Sequence, residues 1–255
     1  MSKIIFITGA TAGFGEACAW KFAANGYDLI LNGRRTDRLQ ILAEELENKY
    51  NVAVLQLPFD VQDEKAVFDS IKNMPPDWQA IDILINNAGL ALGRDYFEEG
   101  DVSDWNTMID TNVKGFLYVA KAVSQLMVTR KHGHIINMGS VAGKEVYEKG
   151  NVYCASKYAV DAISQGMRID LLRHNIKVTS INPGAAETEF SVVRFKGDEG
   201  TAKKIYDGLK PLTAGDVAEV IYYCATLPPH VCINDLTITC IQQANGIFFN
   251  RHTTA

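Results

Sequence analysis

Short apolar runs rich in β-branched residues alternate along the chain with longer stretches whose apolar residues recur every three or four positions. The runs at Lys3–Thr8, Asp28–Asn32, Val52–Leu57, Ile81–Ile85, His134–Met138, Lys177–Ile181 and Leu236–Ile241 predict about seven strands. Helices are predicted over Phe14–Ala24, Arg38–Tyr50, Glu64–Lys72, Val102–Val128, Tyr153–Leu172 and within Pro211–Thr226. Asn25–Gly26 supplies a C-terminal stop for the first of them. Nearly every strand is apolar throughout rather than alternating, the pattern of a sheet covered by helices on both faces. Repeated β–α alternation implies right-handed crossovers and a doubly wound, mostly parallel α/β sheet. Without repeats or linkers, one domain is expected over residues 1–255, with a loop at about 185–212.

Composition narrows the class. Of 255 residues, 47% are hydrophobic and 22% charged, so a substantial core is expected rather than disorder. The net charge is -5, and the densest basic stretch is Arg34–Arg35 with Arg38 nearby, which argues against nucleic acid as a partner. No apolar stretch approaches a membrane span, so no membrane partner is expected. Five cysteines without a CxxC pair point away from a disulfide framework or a zinc site. A reduced, cytoplasmic protein without a metal is the expectation.

The first predicted strand runs into Gly9–Ala10–Thr11–Ala12–Gly13–Phe14–Gly15. A strand, a glycine-rich turn and a helix start offer backbone N–H groups to a pyrophosphate. The spacing is one residue wider than the usual GxGxxG, and a ligand-free β–α turn would read alike. After the second strand a carboxylate would select NAD; here Arg34 and Arg35 follow, a pair suited to the 2′-phosphate of NADP, though also to solvent. Tyr153 and Lys157 stand at i and i+4 on one helical face. An ammonium beside a phenol favours phenolate, which would let Tyr153 exchange a proton near neutral pH. Ser140, just after the fifth strand, is placed to bond the same substrate oxygen. Surface YxxxK pairs are common, so the weight lies in the order of all three features.

Together these residues resemble the short-chain dehydrogenase/reductase family, which implies a Rossmann-type sheet and a catalytic set of Ser140, Tyr153, Lys157 and Asn112. Further family motifs occur in order: Asp60–Val61, Asn86–Asn87–Ala88–Gly89, Asn112 and Pro183–Gly184. Within the family the chain is most similar to NADP-dependent 3-hydroxy acid dehydrogenases of the serine, L-allo-threonine or malonic semialdehyde type, through stretches such as Met108–Asn112 and Val193–Asp198.

The resemblance implies that Asp60 and Val61 meet the adenine, that Asn87, Ala88 and Gly89 lie along the cofactor, and that Pro183, Gly184 and Thr188 border the nicotinamide. It also implies a proton relay through Asn112 and Lys157, and a homotetramer. Asn86 reads as a buried structural amide. Arg194 is the first candidate for a substrate carboxylate, because a planar fork matches it, and Lys196 the second; Tyr147 is a candidate pocket wall. Two alternatives stand beside the hydroxy acid reading: a reductase of another ketone or aldehyde (sugar, steroid or acyl), and an NADP-sensing protein without turnover.

Overall fold

A computed structural model describes residues 2–251. Its sheet is built from β1 (Ile4–Ile7), β2 (Asp28–Asn32), β3 (Val54–Leu57), β4 (Ile81–Asn86), β5 (Gly133–Met138), β6 (Ile176–Pro183) and β7 (Asp235–Ile238). All pairings among them are parallel, in the order β3-β2-β1-β4-β5-β6-β7. The order reverses between β1 and β4, which opens a crevice at their carboxyl ends.

Alternation within β1 shows why its residues are apolar throughout. Ile5 and Ile7 pack on one face with Leu29 and Leu31, beneath α1 (Gly13–Ala23), α2 (Thr36–Tyr50) and, later in the chain, α9 (Ala214–Thr226). Ile4 and Phe6 pack on the other with Ile30, beneath α3 (Glu64–Lys72) and α5 (Phe116–Arg130). Both faces are therefore core, as the continuous hydrophobic runs required.

Three features depart from the expected elements. The long helix over 102–128 is two helices, α4 (Val102–Ile109) and α5, joined by a π-helical turn at Asp110–Gly115. Added residues of this kind often mark functional positions; Gly115 is needed here because a Cβ would strike the Val61 backbone. Between β6 and α9 the expected loop carries two short helices, α7 (Glu189–Arg194) and α8 (Glu199–Lys204), with α6 (Asn151–Leu171) lying upstream. The final strand stops at Ile238 rather than Ile241, since the chain turns at Cys240–Gln243 and leaves Ile241 exposed. Among the described residues no helix is long and apolar enough to cross a membrane.

Candidate active site

The carboxyl ends of β1 and β4 are stitched together by the side chain of Thr8. Its hydroxyl accepts from the backbone N–H groups of Asn87 and Ala88, both at 2.9 Å, while Asn87 Nδ2 donates to Thr8 O at 2.8 Å. Gly9 and Gly13 have φ of 64° and 56°, a region that penalises a side chain. Gly15 lies one layer behind the turn: a Cβ there would collide with Gly9 O and come within 2.7 Å of Asn87 Nδ2. Its role is thus to let α1 approach the strand rather than to line the cleft. Ala12 gives α1 no side-chain cap, so its first-turn N–H groups are left without a side-chain partner where Thr11, Gly13 and Phe14 line the crevice.

At the end of β2, Asn32 is spent on structure, donating to Leu57 O and Phe59 O. Arg35 Nε and Nη2 donate to Thr11 Oγ1 at 3.2 and 3.0 Å, and its Nη1 pairs with Glu189 at 2.9 Å. Arg38 reaches the other Glu189 oxygen at 2.7 Å. Arg34 pairs at 3.3 Å with Asp60, which also accepts from Gln62 N. Asp60 and Val61 line the same wall of the cleft. Asn86 is buried and donates to Phe116 O, the structural amide expected.

The cleft, about 690 Å³ in all, runs on past Ala88, Gly89, Ser140, Tyr153, Lys157, Pro183, Gly184 and Thr188. Ser140 stands beside the Tyr153 phenol and accepts from Ala142 N at 3.1 Å, which fixes its hydroxyl just past the end of β5. Lys157 is 7% exposed and its ammonium donates to Met138 O at 2.8 Å. Asn112, at the π-helical turn, clasps Leu90 from both sides, accepting from its N–H at 2.9 Å and donating to its carbonyl at 2.7 Å. It also donates to Ser156 Oγ at 3.0 Å and does not itself line the cleft. Asn112 Oδ1 and Lys157 Nζ both border the space beside Gly89.

One electrostatic expectation is corrected. Burial pushes the Tyr153 phenol well above its ordinary value, Tyr147 adds to this, and the nearby Ser140 hydroxyl and Arg194 charge do not offset it. Lys157 lies 6.0 Å from the centre of the Tyr153 ring and gives one of its three N–H donors to Met138 O; its charge does not outweigh the burial of the phenol. Burial instead lowers Lys157 to about 8, leaving it mostly cationic near neutral pH.

At the far end Arg194 is 8% exposed. Its Nη1 donates to the Tyr147 hydroxyl at 3.0 Å and its Nε to Gly93 O at 3.2 Å, and the guanidinium lies 5.6 Å from the ring centres of both Tyr147 and Tyr153. Lys196 is elsewhere, paired with Asp104 at 2.9 Å outside the cleft wall. The second carboxylate candidate therefore falls away. Thr188 caps α7 through Phe190 N and packs over Gly13.

Several wall residues escaped sequence reading. Arg94 lies 6.0 Å from the Tyr147 ring. Phe190 packs against Tyr153 with ring centres 5.6 Å apart. Gln243 bonds Ala185 N at 2.7 Å and would block any side chain at position 184. Phe249 and Arg251 close the rim, Arg251 donating to Ile205 O at 3.0 Å. None was read from the sequence as a wall residue, and only their tertiary placement gives them that role.

The model of the short chain dehydrogenase family matches residues 3–198. The chain is 47% identical to the NADP-dependent 3-hydroxy acid dehydrogenase YdfG of Shigella flexneri, over 94% of this chain and 96% of that one. It is 46% identical to sulfoacetaldehyde reductase 2 of Chromohalobacter salexigens, over 97% and 98% of the two chains. The closed form of a serine dehydrogenase complexed with NADP+ superposes with a TM-score of 0.90 at 46% identity, covering 98% of this chain and 100% of that one. On these matches, and on a parallel sheet whose crevice gathers the family's motifs, the chain belongs to the short-chain dehydrogenase family of oxidoreductases.

Proposed function

We propose that the protein is an NADP-dependent oxidoreductase that interconverts small 3-hydroxy acids and their carbonyl forms, acting through one domain over residues 1–255. The observation that carries this reading is Arg194: a buried guanidinium held against Tyr147 and Tyr153 sets an anion beside a phenol able to transfer a proton. The same fork suits a sulfonate, and one similar protein bears the name sulfoacetaldehyde reductase.

The cleft fits a dinucleotide phosphate. The bare backbone of Gly9 and Gly13 offers close approach to a pyrophosphate, and Arg34 and Arg35 stand where a 2′-phosphate-selective site needs cations. Asp60 and Val61 border the adenine position, with Asn87, Ala88 and Gly89 along the floor and Pro183, Gly184 and Thr188 at the nicotinamide end. The nicotinamide supplies the hydride in reduction and accepts it in oxidation. The residues supply orientation and the proton. Ser140 and Tyr153 hold the substrate oxygen; Tyr153, kept protonated by burial, donates its proton to that oxygen as a carbonyl is reduced. In the reverse direction the phenol must first release its proton, and the phenolate then takes the alcohol's proton as hydride leaves the carbon. Lys157 brings positive charge to the cofactor ribose and stands beside Asn112, which positions the Leu90 backbone and borders the route for proton resupply.

Exposed apolar side chains on α6, just after it and beyond β7, including Ile169, Leu172, Ile247 and Phe248, support assembly as a homotetramer. Following NADPH and NADH absorbance with malonic semialdehyde, sulfoacetaldehyde and a neutral aldehyde, and NADP reduction with serine and 3-hydroxyisobutyrate, tests the function. Preference for anionic carbonyls with NADPH is expected. A higher kcat/KM for the neutral aldehyde would favour another ketone or aldehyde reductase, and no turnover with any compound would favour an NADP-sensing protein.

A further inference from the structure

Helix α7 joins the two ends of the cleft. Its first residue, Glu189, lies between Arg35 and Arg38, and its last, Arg194, lies between Tyr147 and Tyr153. Six helical residues span only about 8 Å along the axis. The Glu189 carboxylate bridges the two arginines, one oxygen to each, at 2.9 and 2.7 Å, a bridge a phosphate's oxygens can also make. Glu189 and both arginines are about half exposed, so their pairing is weak enough to be exchanged.

We propose that Glu189 is a specificity-determining residue that competes with the cofactor's 2′-phosphate for Arg35, so that α7, and with it Arg194, responds to the presence of that phosphate. The proposal rests on the assignment of Arg35 to the 2′-phosphate made above. A phosphate monoester carries nearly two negative charges at neutral pH. Brought to Arg35 it repels the carboxylate already there, and Glu189 keeps only Arg38. A dinucleotide without the phosphate leaves the Arg35–Glu189–Arg38 arrangement intact. The first turn of α7 thus stands differently under the two cofactors, and the short helix passes the difference to the guanidinium that faces the substrate.

The test uses the full-length protein and two soluble probes, 2′,5′-ADP and 5′-AMP, with affinities measured by calorimetry for the parent, Glu189→Gln and Arg35→Gln. Removing the competing charge is expected to tighten 2′,5′-ADP binding about threefold to tenfold at low salt, with 5′-AMP unchanged and the gain shrinking as salt rises. In turnover, the KM for an anionic carbonyl should differ between NADPH and NADH in the parent and converge in Glu189→Gln. If Glu189→Gln leaves 2′,5′-ADP affinity unchanged or weakens it, Glu189 does not compete and the proposal is overturned. If Arg35→Gln binds 2′,5′-ADP as well as the parent does, the phosphate assignment itself has failed, whatever Glu189 does.

Discussion

At the dinucleotide end, each wall is a short stretch that follows directly from a strand: residues 9–14 after β1, 34 and 35 after β2, 60 and 61 after β3, 87–89 after β4. At the substrate end, Arg94, Tyr147, Arg194 and Phe249 arrive from separated loops, one short helix and the C-terminal segment. The first end depends on backbone shape, so its signature is glycine at particular positions. The second depends on side chains converging across the fold, so no local signature exists. A parallel sheet holds the first end rigid while leaving the second to loops that vary without disturbing the core.

The sharpest way to separate the two ends is Arg194→Met. Loss of charge-assisted bonds to an anionic substrate should raise KM about 10- to 100-fold, with a neutral aldehyde and NADPH affinity unaffected. Equal losses on charged and neutral substrates would show that Arg194 only holds the loop. The converse is Gly15→Ala, whose Cβ meets the Gly9 carbonyl and the Asn87 amide. Overpacking there should cost about 1–3 kcal/mol in thermal unfolding and raise the KM for NADPH, while the substrate KM at saturating cofactor stays fixed. A rise confined to the substrate KM would break the division between the ends.

The fold was legible because its signals are periodic and repeated. Fully apolar strands announced helices on both faces, and apart from the split of the 102–128 helix and the two short helices between β6 and α9, the expected elements match those found to within a few residues. Tyr153, Lys157, Ser140 and Asn112 do converge around one end of β5 and Gly89, as their motifs implied. What could not be read was the balance of charges. Spacing placed Lys157 beside Tyr153, but only coordinates show its ammonium held by Met138 O and the phenol dominated by burial. The partner of Arg35 was equally hidden, because Glu189 lies 154 positions away. Lys196 stood second to Arg194 in sequence; Asp104 claims it instead.

A smaller effect belongs to the sheet beneath both ends. His134 on β5 is buried, bonded to Thr179 Oγ1 at 2.7 Å, and burial lowers it to about 3. Its folded value lies below the unfolded one near ~6.5, so the unfolded chain binds the extra proton first and stability falls as pH drops from about 6.5 toward 3. At pH 5 this amounts to at most roughly 2 kcal/mol. Denaturant unfolding of the parent and of His134→Gln across that range should show a shallower acid loss in the variant; parallel curves would remove the assignment.

The central claim is that the Tyr153 hydroxyl delivers the proton to a substrate carbonyl. Single-turnover oxidation of bound NADPH by malonic semialdehyde, in the parent and in Tyr153→Phe, tests it most directly. The account predicts unchanged NADPH binding and a rate lowered about 10²- to 10⁴-fold. A phenylalanine variant that consumes NADPH at close to the parental rate would contradict it.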